Sequence, residues 1–465
     1  MLTSRAAAIA LLLFAADSSA QSQASTAPDL GARIDQIVAQ VLAEPGAPPS
    51  ASLAVVKDGK IAWVQAYGDA RLDPRTPARP TMRYGIGSIS KQFTATAILW
   101  AAEQGKLSLD DPLSRFLPNP TRAGEVTIRR LLSHTSGYQD YWPQDYVFPL
   151  MERPTTPAEI LERWAHQRLD FEPGDQYQYS NTNYVMAGLI FEKATSMPLM
   201  RFLREKIFVP LDMKSVTDID QGVLGETDPQ GYMRYGLGPL RTSPKEGRGW
   251  LYAVGGLAMT AEDLARWNIS LIDRRVLKPA SYKELETTVR LNNGLATNYA
   301  LGLSVRNRDG HRVLSHGGEV SGFCAENMVF PEDRAAIAVL VNQVSTATAS
   351  EIAQKITPLL LTRAEPGNAQ RLEQARGIFA GLQQGKIDRS LFTDNANFYF
   401  NEQALKDFAS SLGPLGQPQD FSELGHDSRG GMTGRTFRAR FAGRELIIRT
   451  YEMPNGKWEQ YQLAN

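Results

Sequence analysis

The spacing of apolar residues changes period along the chain. From Ile34 to Leu42 they recur every three to four residues and predict a helix, whereas Ala51 to Val56 and Lys60 to Tyr67 read as strands. Asp58-Gly59 between those strands favours a tight antiparallel hairpin. Helical spacing returns with Ile89, Phe93, Ala97, Ile98 and Ala101, just after Gly85 and Gly87, which permit a sharp turn. Further helices are predicted over Thr127 to Leu132, Pro157 to His166, Val185 to Lys193 and Thr260 to Ile272, with a glycine-containing turn at Tyr252 to Gly256. Then the pattern becomes strand-like over Ala300 to Val305, Arg312 to Ser315, Gly322 to Phe330 and Ala335 to Val341. Asp309-Gly310, Gly317-Gly318 and Pro331-Glu332-Asp333 separate these runs.

A strand hairpin near the start, helices in the middle and antiparallel strands later imply a sheet closed by both ends of one mixed α/β (α+β) domain with a helical insertion. Ala349 to Leu361 predicts a helix on that sheet despite Pro358, and Arg363-Ala364-Glu365-Pro366-Gly367 reads as a boundary. Past it come helical patterns at Gln370 to Gln384 and Glu402 to Leu412. The strands Thr436 to Phe441, Leu446 to Tyr451 and Trp458 to Leu463 follow, joined at Ala442-Gly443 and Asn455-Gly456. At the other end, Arg5, the apolar run Ala6 to Ala16 and the small residues of Ser18-Ser19-Ala20 read as a cleavable secretory signal. The expected organisation is therefore a signal peptide over 1–20, a core domain over 21–365 and a small α+β accessory domain over 368–465. Export to the periplasm or the medium is expected, with no membrane-spanning segment after cleavage.

Fifty basic residues balance fifty acidic ones, so charge gives no reason to expect nucleic acid as a partner; a small-molecule or peptide substrate fits better. Cys324 is the single cysteine, and the five histidines, at 134, 166, 311, 316 and 426, lack metal-ligand spacing, so neither a metal nor a cofactor is expected. Oligomeric state is not legible in such a pattern.

Chemistry first suggests itself at Ser88. Ser88 and Lys91 are three residues apart at a predicted helix start, so their side chains share a face with Cβ atoms about 5–6 Å apart. A serine hydroxyl needs a neighbouring base, and the helix N-terminus favours negative charge developing beside it. Ser-x-x-Lys nevertheless arises about once by chance in a chain of this length. An N-cap serine beside a solvated lysine explains the pair equally well. His134 and Ser136, two residues apart, lack an orienting third group and read as part of a turn.

Three stretches occur in order: Ser88-Ile89-Ser90-Lys91, Tyr179-Ser180-Asn181 and His316-Gly317-Gly318. Together they resemble the serine β-lactamase and penicillin-binding family, in the branch of class C β-lactamases, DD-peptidases, D-aminopeptidases and related esterases. Leu131 to Gly137, Phe171 to Gly174 and Gly255-Gly256-Leu257 resemble the same branch, and the likeness runs from about Leu53 to Asn342. The resemblance implies that Ser88 attacks a carbonyl and forms an acyl-enzyme, with Lys91 and Tyr179 sharing the proton work. It further implies that Asn181 holds Lys91 and the substrate amide, and that the N–H groups of Ser88 and Glu319 form an oxyanion hole. Gly317 and Gly318 are expected to leave room for substrate. Typical β-lactamases carry lysine where this chain has His316, so a weaker, pH-dependent counter-charge is expected there, as in the branch's peptidases.

The expected activity is hydrolysis of D-amino-acid peptides or related amides and esters, with carboxylesterase or class C-like β-lactamase as alternatives. A penicillin-sensing binding protein is the competing class, and the presence of Lys91, Tyr179 and Asn181 together favours the enzyme.

Overall fold

The computed structural model describes residues 30–144, 146–308, 310–361 and 368–464. The expected signal segment, the boundary stretch Arg363 to Gly367 and Asp309 of the Asp309-Gly310 turn lie outside the described residues.

Seven strands form the main sheet: β1 (Ser50–Lys57), β2 (Lys60–Leu72), β3 (Arg75–Pro77), β4 (Ser304–Arg308), β5 (His311–Val320), β6 (Phe323–Phe330) and β7 (Ala335–Val341). Their order is β3-β2-β1-β7-β6-β5-β4, so the N-terminal hairpin and the later antiparallel strands meet where β1 pairs with β7. At the β1–β2 turn Asp58 has φ 54° and Gly59 φ 73°, which is the backbone that this dipeptide favours.

Strand alternation sorts side chains to two faces. On β1 and β7, Leu53, Val55, Ile337 and Val339 pack against Ile34 and Val38 of α1 (Leu30–Leu42). The intervening Ala54, Val56, Ala338 and Leu340 face the other way, into a larger core that includes α2 (Lys91–Glu103), α3 (Asn181–Thr195) and α4 (Ala261–Asp273). Ile352 and Ile356 of α5 (Thr348–Leu360) join the α1 side, with Pro358 accommodated inside that last helix. Thr260 caps α4 by accepting the Asp263 N–H, as its sequence predicts. Tyr252–Gly255 is a short helix rather than only a turn.

One sequence expectation is corrected here. Gly317 and Gly318 do not separate two strands. They lie inside β5, which continues to Val320 and turns into β6 through Ser321 and Gly322. Cross-strand hydrogen bonding outweighs the weak strand preference of glycine, because the neighbouring β6 supplies an apolar partner.

The C-terminal region builds its own layer. A four-stranded sheet of β8 (Asp420–Arg429), β9 (Met432–Phe441), β10 (Arg444–Glu452) and β11 (Trp458–Ala464) is antiparallel throughout. Phe421, Phe437, Ile448 and Trp458 pack against Phe379 of α6 (Asn368–Leu382), and Leu405 and Phe408 of α7 (Glu402–Leu412) pack against that core. Strand β8 was not expected from its polar sequence. The fold as a whole is mixed α/β, with an antiparallel core sheet flanked by helices and a small C-terminal sheet domain.

Candidate active site

Ser88 lies in a single turn of 3₁₀ helix, Gly87–Ser90, which runs directly into α2. Gly87 holds φ +50°, and a Cβ there would lie 2.5 Å from the Glu319 backbone nitrogen. A Cβ on Gly318 would come within 2.0 Å of the Ile86 carbonyl oxygen. The two glycines therefore let the Ser88 turn seat itself on the edge of β5, bringing the backbones of Ser88 and Glu319 together. This alters the role expected of Gly318: the space it vacates is filled by protein backbone and not by substrate. Gly317 is exposed, and a Cβ there would meet nothing nearer than 3.8 Å.

Helix α2 is buried nearly all round, and Lys91 with it, at 0% exposure. Lys91 Nζ lies 3.0 Å from Ser88 Oγ, 2.8 Å from Asn181 Oδ1 and 3.0 Å from the Val254 carbonyl oxygen. Burial disfavours the ammonium and holds the Lys91 pKa down to about 7, with Asp140 acting weakly in the opposite direction. A carbonyl oxygen and an amide oxygen can only accept, so a neutral Lys91 donates to Val254 and Asn181. Its lone pair is left for Ser88 Oγ.

The Asn181 orientation is itself fixed. Its backbone N–H donates to Asp140 Oδ1 at 2.9 Å and its Nδ2 to Asp140 Oδ2 at 3.2 Å, which leaves Oδ1 to face Lys91. This works because α3 begins at Asn181, four residues before the apolar run that marks it in sequence, and puts Asn181 in the first helical turn. Tyr179 precedes that helix, and Lys91 Nζ stands 5.0 Å from its ring centroid. When Lys91 takes up a proton, this ring and Tyr184, at 5.5 Å, face the new charge.

His134 backs Tyr179, with ring centroids 4.2 Å apart. Its left-handed backbone, φ 57°, confirms the turn, and its Nδ1 accepts the Ser180 N–H at 3.2 Å. Burial, reinforced by Lys91 and His316, keeps the imidazole neutral. Ser136 is spent in donating to Asn183 Oδ1 at 2.7 Å.

His316 departs from expectation. Its Nδ1 lies 2.6 Å from the Gly317 carbonyl oxygen, so Nδ1 carries the proton, and Nε2 accepts from the Tyr299 hydroxyl at 2.8 Å. Burial, and secondarily Lys91, push its pKa down to about 4. The pH-dependent counter-charge expected near neutrality is thus replaced by a neutral, fully hydrogen-bonded ring.

Two cavities flank Ser88, and Ser88, Tyr179 and Glu319 border both. One, of about 240 Å³, is walled largely by apolar side chains such as Trp142, Val147, Leu251 and Val254. The other, of about 410 Å³, is open along β5 and β6 and is lined by His316, Gly317 and Glu326. Burial raises the Glu326 pKa to about 7, moderated by Arg306.

The structure brings together Ser88, Lys91, Tyr179, Asn181 and the β5 residues His316 to Glu319, although some 230 positions separate the first from the last. Sequence reasoning missed Asp140, Val254, Tyr299 and the supporting role of His134. The contribution of Val254 is a backbone carbonyl, which no side-chain motif can reveal, and Asp140 and Tyr299 stand in no recognisable spacing. No cluster of His, Cys, Asp and Glu suited to a metal occurs among the described residues. None of the described helices is long and apolar enough to cross a membrane.

Protein flp of Staphylococcus aureus (strain MW2) is 31% identical over 320 residues, which make up 67% of this chain and 62% of flp. The chain thus spans less than two thirds of the length of that relative. Among solved structures, the octameric penicillin-binding protein homologue from Pyrococcus abyssi superposes with a TM-score of 0.62 at 22% identity, covering 93% of this chain and 99% of its own. A D-stereospecific amidohydrolase from Streptomyces sp. gives 0.60 at 26% identity, over 72% of this chain and 99% of its own. The beta-lactamase family model matches residues 34–358. With that match over most of its length, the chain belongs to the beta-lactamase family.

Proposed function

We propose that the protein is an exported serine hydrolase that cleaves D-amino-acid peptides, or related amides and esters, through an acyl-enzyme on Ser88. The observation that carries this reading is the Lys91 amine, buried without an ion-pair partner among the described residues and 3.0 Å from Ser88 Oγ. Similarity to a D-stereospecific amidohydrolase supports the substrate class.

In this mechanism neutral Lys91 accepts the Ser88 proton as Oγ attacks the carbonyl carbon, and the oxyanion is held by the N–H groups of Ser88 and Glu319. Tyr179 relays a proton to the departing nitrogen or oxygen. Water then attacks the ester of the acyl-enzyme, releasing the acid and returning the proton to Ser88. Asn181 keeps Lys91 in place and faces the substrate amide. The segment 1–20 directs export, and the accessory region from 368 onward supplies no reacting group.

An esterase reading is favoured by one specific feature, the apolar cavity beside Ser88, which suits an acyl chain. Hydrolysis of β-lactams is expected to be poor, because neutral His316 offers no charge to their carboxylate. The test is to incubate purified protein with a fluorophosphonate and, separately, with D-peptide, short-ester and penicillin substrates. Adduct on the peptide containing Ser88 and turnover of D-peptide or ester support the reading; adduct on Ser136 or Ser180 contradicts it.

A further inference from the structure

The two cavities at Ser88 have opposite electrostatic character. The open cleft along β5 and β6 presents the carboxyl groups of Glu319 and Glu326, and none of its described lining residues is cationic. In the walled cavity, besides Glu319 at the shared border, the single ionic side chain among the described lining residues is Arg234. Arg234 follows the short strand Tyr232–Met233, which pairs with Arg241–Thr242.

Arg234 has no carboxylate partner among the described residues; the same is true of Arg71 and Arg248, but of these arginines only Arg234 lines the cavity at Ser88. Its Nη1 donates to the Gly238 carbonyl oxygen at 2.9 Å, which orients the guanidinium. That is the one hydrogen bond its side chain makes among the described residues, and its Nε is buried with no partner. Arg234 is half-buried, so the rest of its guanidinium stays open to the cavity and to solvent. Here the donors remain unused beside an apolar wall, in the cavity that also holds Ser88.

The chemistry of an acyl-enzyme assigns the two cavities. An acyl group must stay while the leaving group departs and water enters, so the walled cavity suits the retained part and the open cleft suits the exit. We propose that the walled cavity selects acyl groups that are apolar near the carbonyl and carry a carboxylate at their far end, with Arg234 as the specificity-determining residue. The apolar stem packs against Trp142, Leu251 and Val254, and the terminal carboxylate takes the free guanidinium donors. This inference rests on Ser88 acylation as proposed above and adds the acyl class.

Three 4-nitrophenyl esters of matched length test it with the full chain: the pentanoate, the glutarate monoester with a terminal carboxylate, and the 5-aminopentanoate with a terminal ammonium. In the native protein kcat/KM should favour the glutarate over the pentanoate by about tenfold or more, as expected for one charge-assisted pair, chiefly through KM. The ammonium ester should be the poorest. Added salt should shrink the preference, and Arg234→Gln should collapse the glutarate-to-pentanoate ratio while Arg234→Lys keeps part of it. A general folding defect would move the two esters together and leave their ratio intact, and the native series needs no variant at all. Equal use of the three esters, or a ratio that Arg234→Gln leaves unchanged, overturns the inference while leaving the hydrolase reading standing. Failure to hydrolyse any ester, with no fluorophosphonate adduct at Ser88, overturns both.

Discussion

The core domain and the C-terminal sheet domain both bury charge, and they treat it differently. In the C-terminal domain Arg435, 7% exposed, meets Glu423 at 2.9 Å and Glu452 at 3.5 Å, and Arg371 pairs with the same Glu452 at 2.6 Å. In the core Lys91 is equally hidden, yet it has only neutral hydrogen-bond partners and a pKa near 7. Paired charges hold a fold together, whereas a buried amine without an acid is poised to exchange its proton near neutral pH. The same contrast separates Arg234 from the paired arginines.

This comparison can be broken in several ways, beginning with the largest effect. Ser88→Ala should lower turnover by about 10⁴-fold or more and abolish fluorophosphonate labelling, since it removes the nucleophile while its neighbours stay folded. A variant that retained labelling would place the chemistry elsewhere. Tyr179→Phe removes a hydroxyl and should cost roughly 10²–10⁴-fold in kcat. Tyr177→Phe, measured alongside, should cost far less, and equal losses would remove the special role of Tyr179.

The open cleft sharpens the picture through pH. Glu326 gains its proton as pH falls through about 7, so repulsion of an anionic group in that cleft is lost and such substrates should improve several-fold relative to uncharged ones. Glu326→Gln should abolish that dependence. His316→Gln should not, because His316 becomes charged only near pH 4. Dependence that followed His316 instead would restore it as the counter-charge.

The smallest effect on chemistry should come from the C-terminal domain. Arg435→Leu strands Glu423, while Glu452 keeps Arg371, and should cost about 3 kcal/mol, lowering the melting temperature of that domain by about 10 °C or more. Ser88 labelling at 25 °C should persist, and its loss would join the two regions energetically.

Much of this was legible in the chain. The β1–β2 hairpin announced itself through Asp58-Gly59, and the closure of the sheet by β1 and β7 followed from where strand-like runs fall. The order of the three short motifs was legible as well. Strand β8 was hidden because Asp420–Arg429 is mostly polar and is held by pairing with β9 more than by its own pattern. The continuation of β5 through Gly317-Gly318 was hidden because strand partners, and not local preference, decide it. The neutral state of His316 depends on Tyr299, seventeen residues away with no shared motif, and the Asn181 orientation depends on Asp140. Such properties belong to three-dimensional neighbours and leave no periodic trace.

The central claim is that Lys91, brought by burial to a pKa of about 7, takes the Ser88 proton in its neutral form. Its direct test is the pH dependence of Ser88 acylation by an uncharged ester, followed in a single turnover so that acylation is read alone. The rate should rise with pH through an inflection near 7, as Lys91 loses its proton, and the inflection should vanish in Lys91→Met along with most of the rate. A rate that is flat from about pH 6 to 9, or that keeps its inflection in Lys91→Met, would contradict the claim.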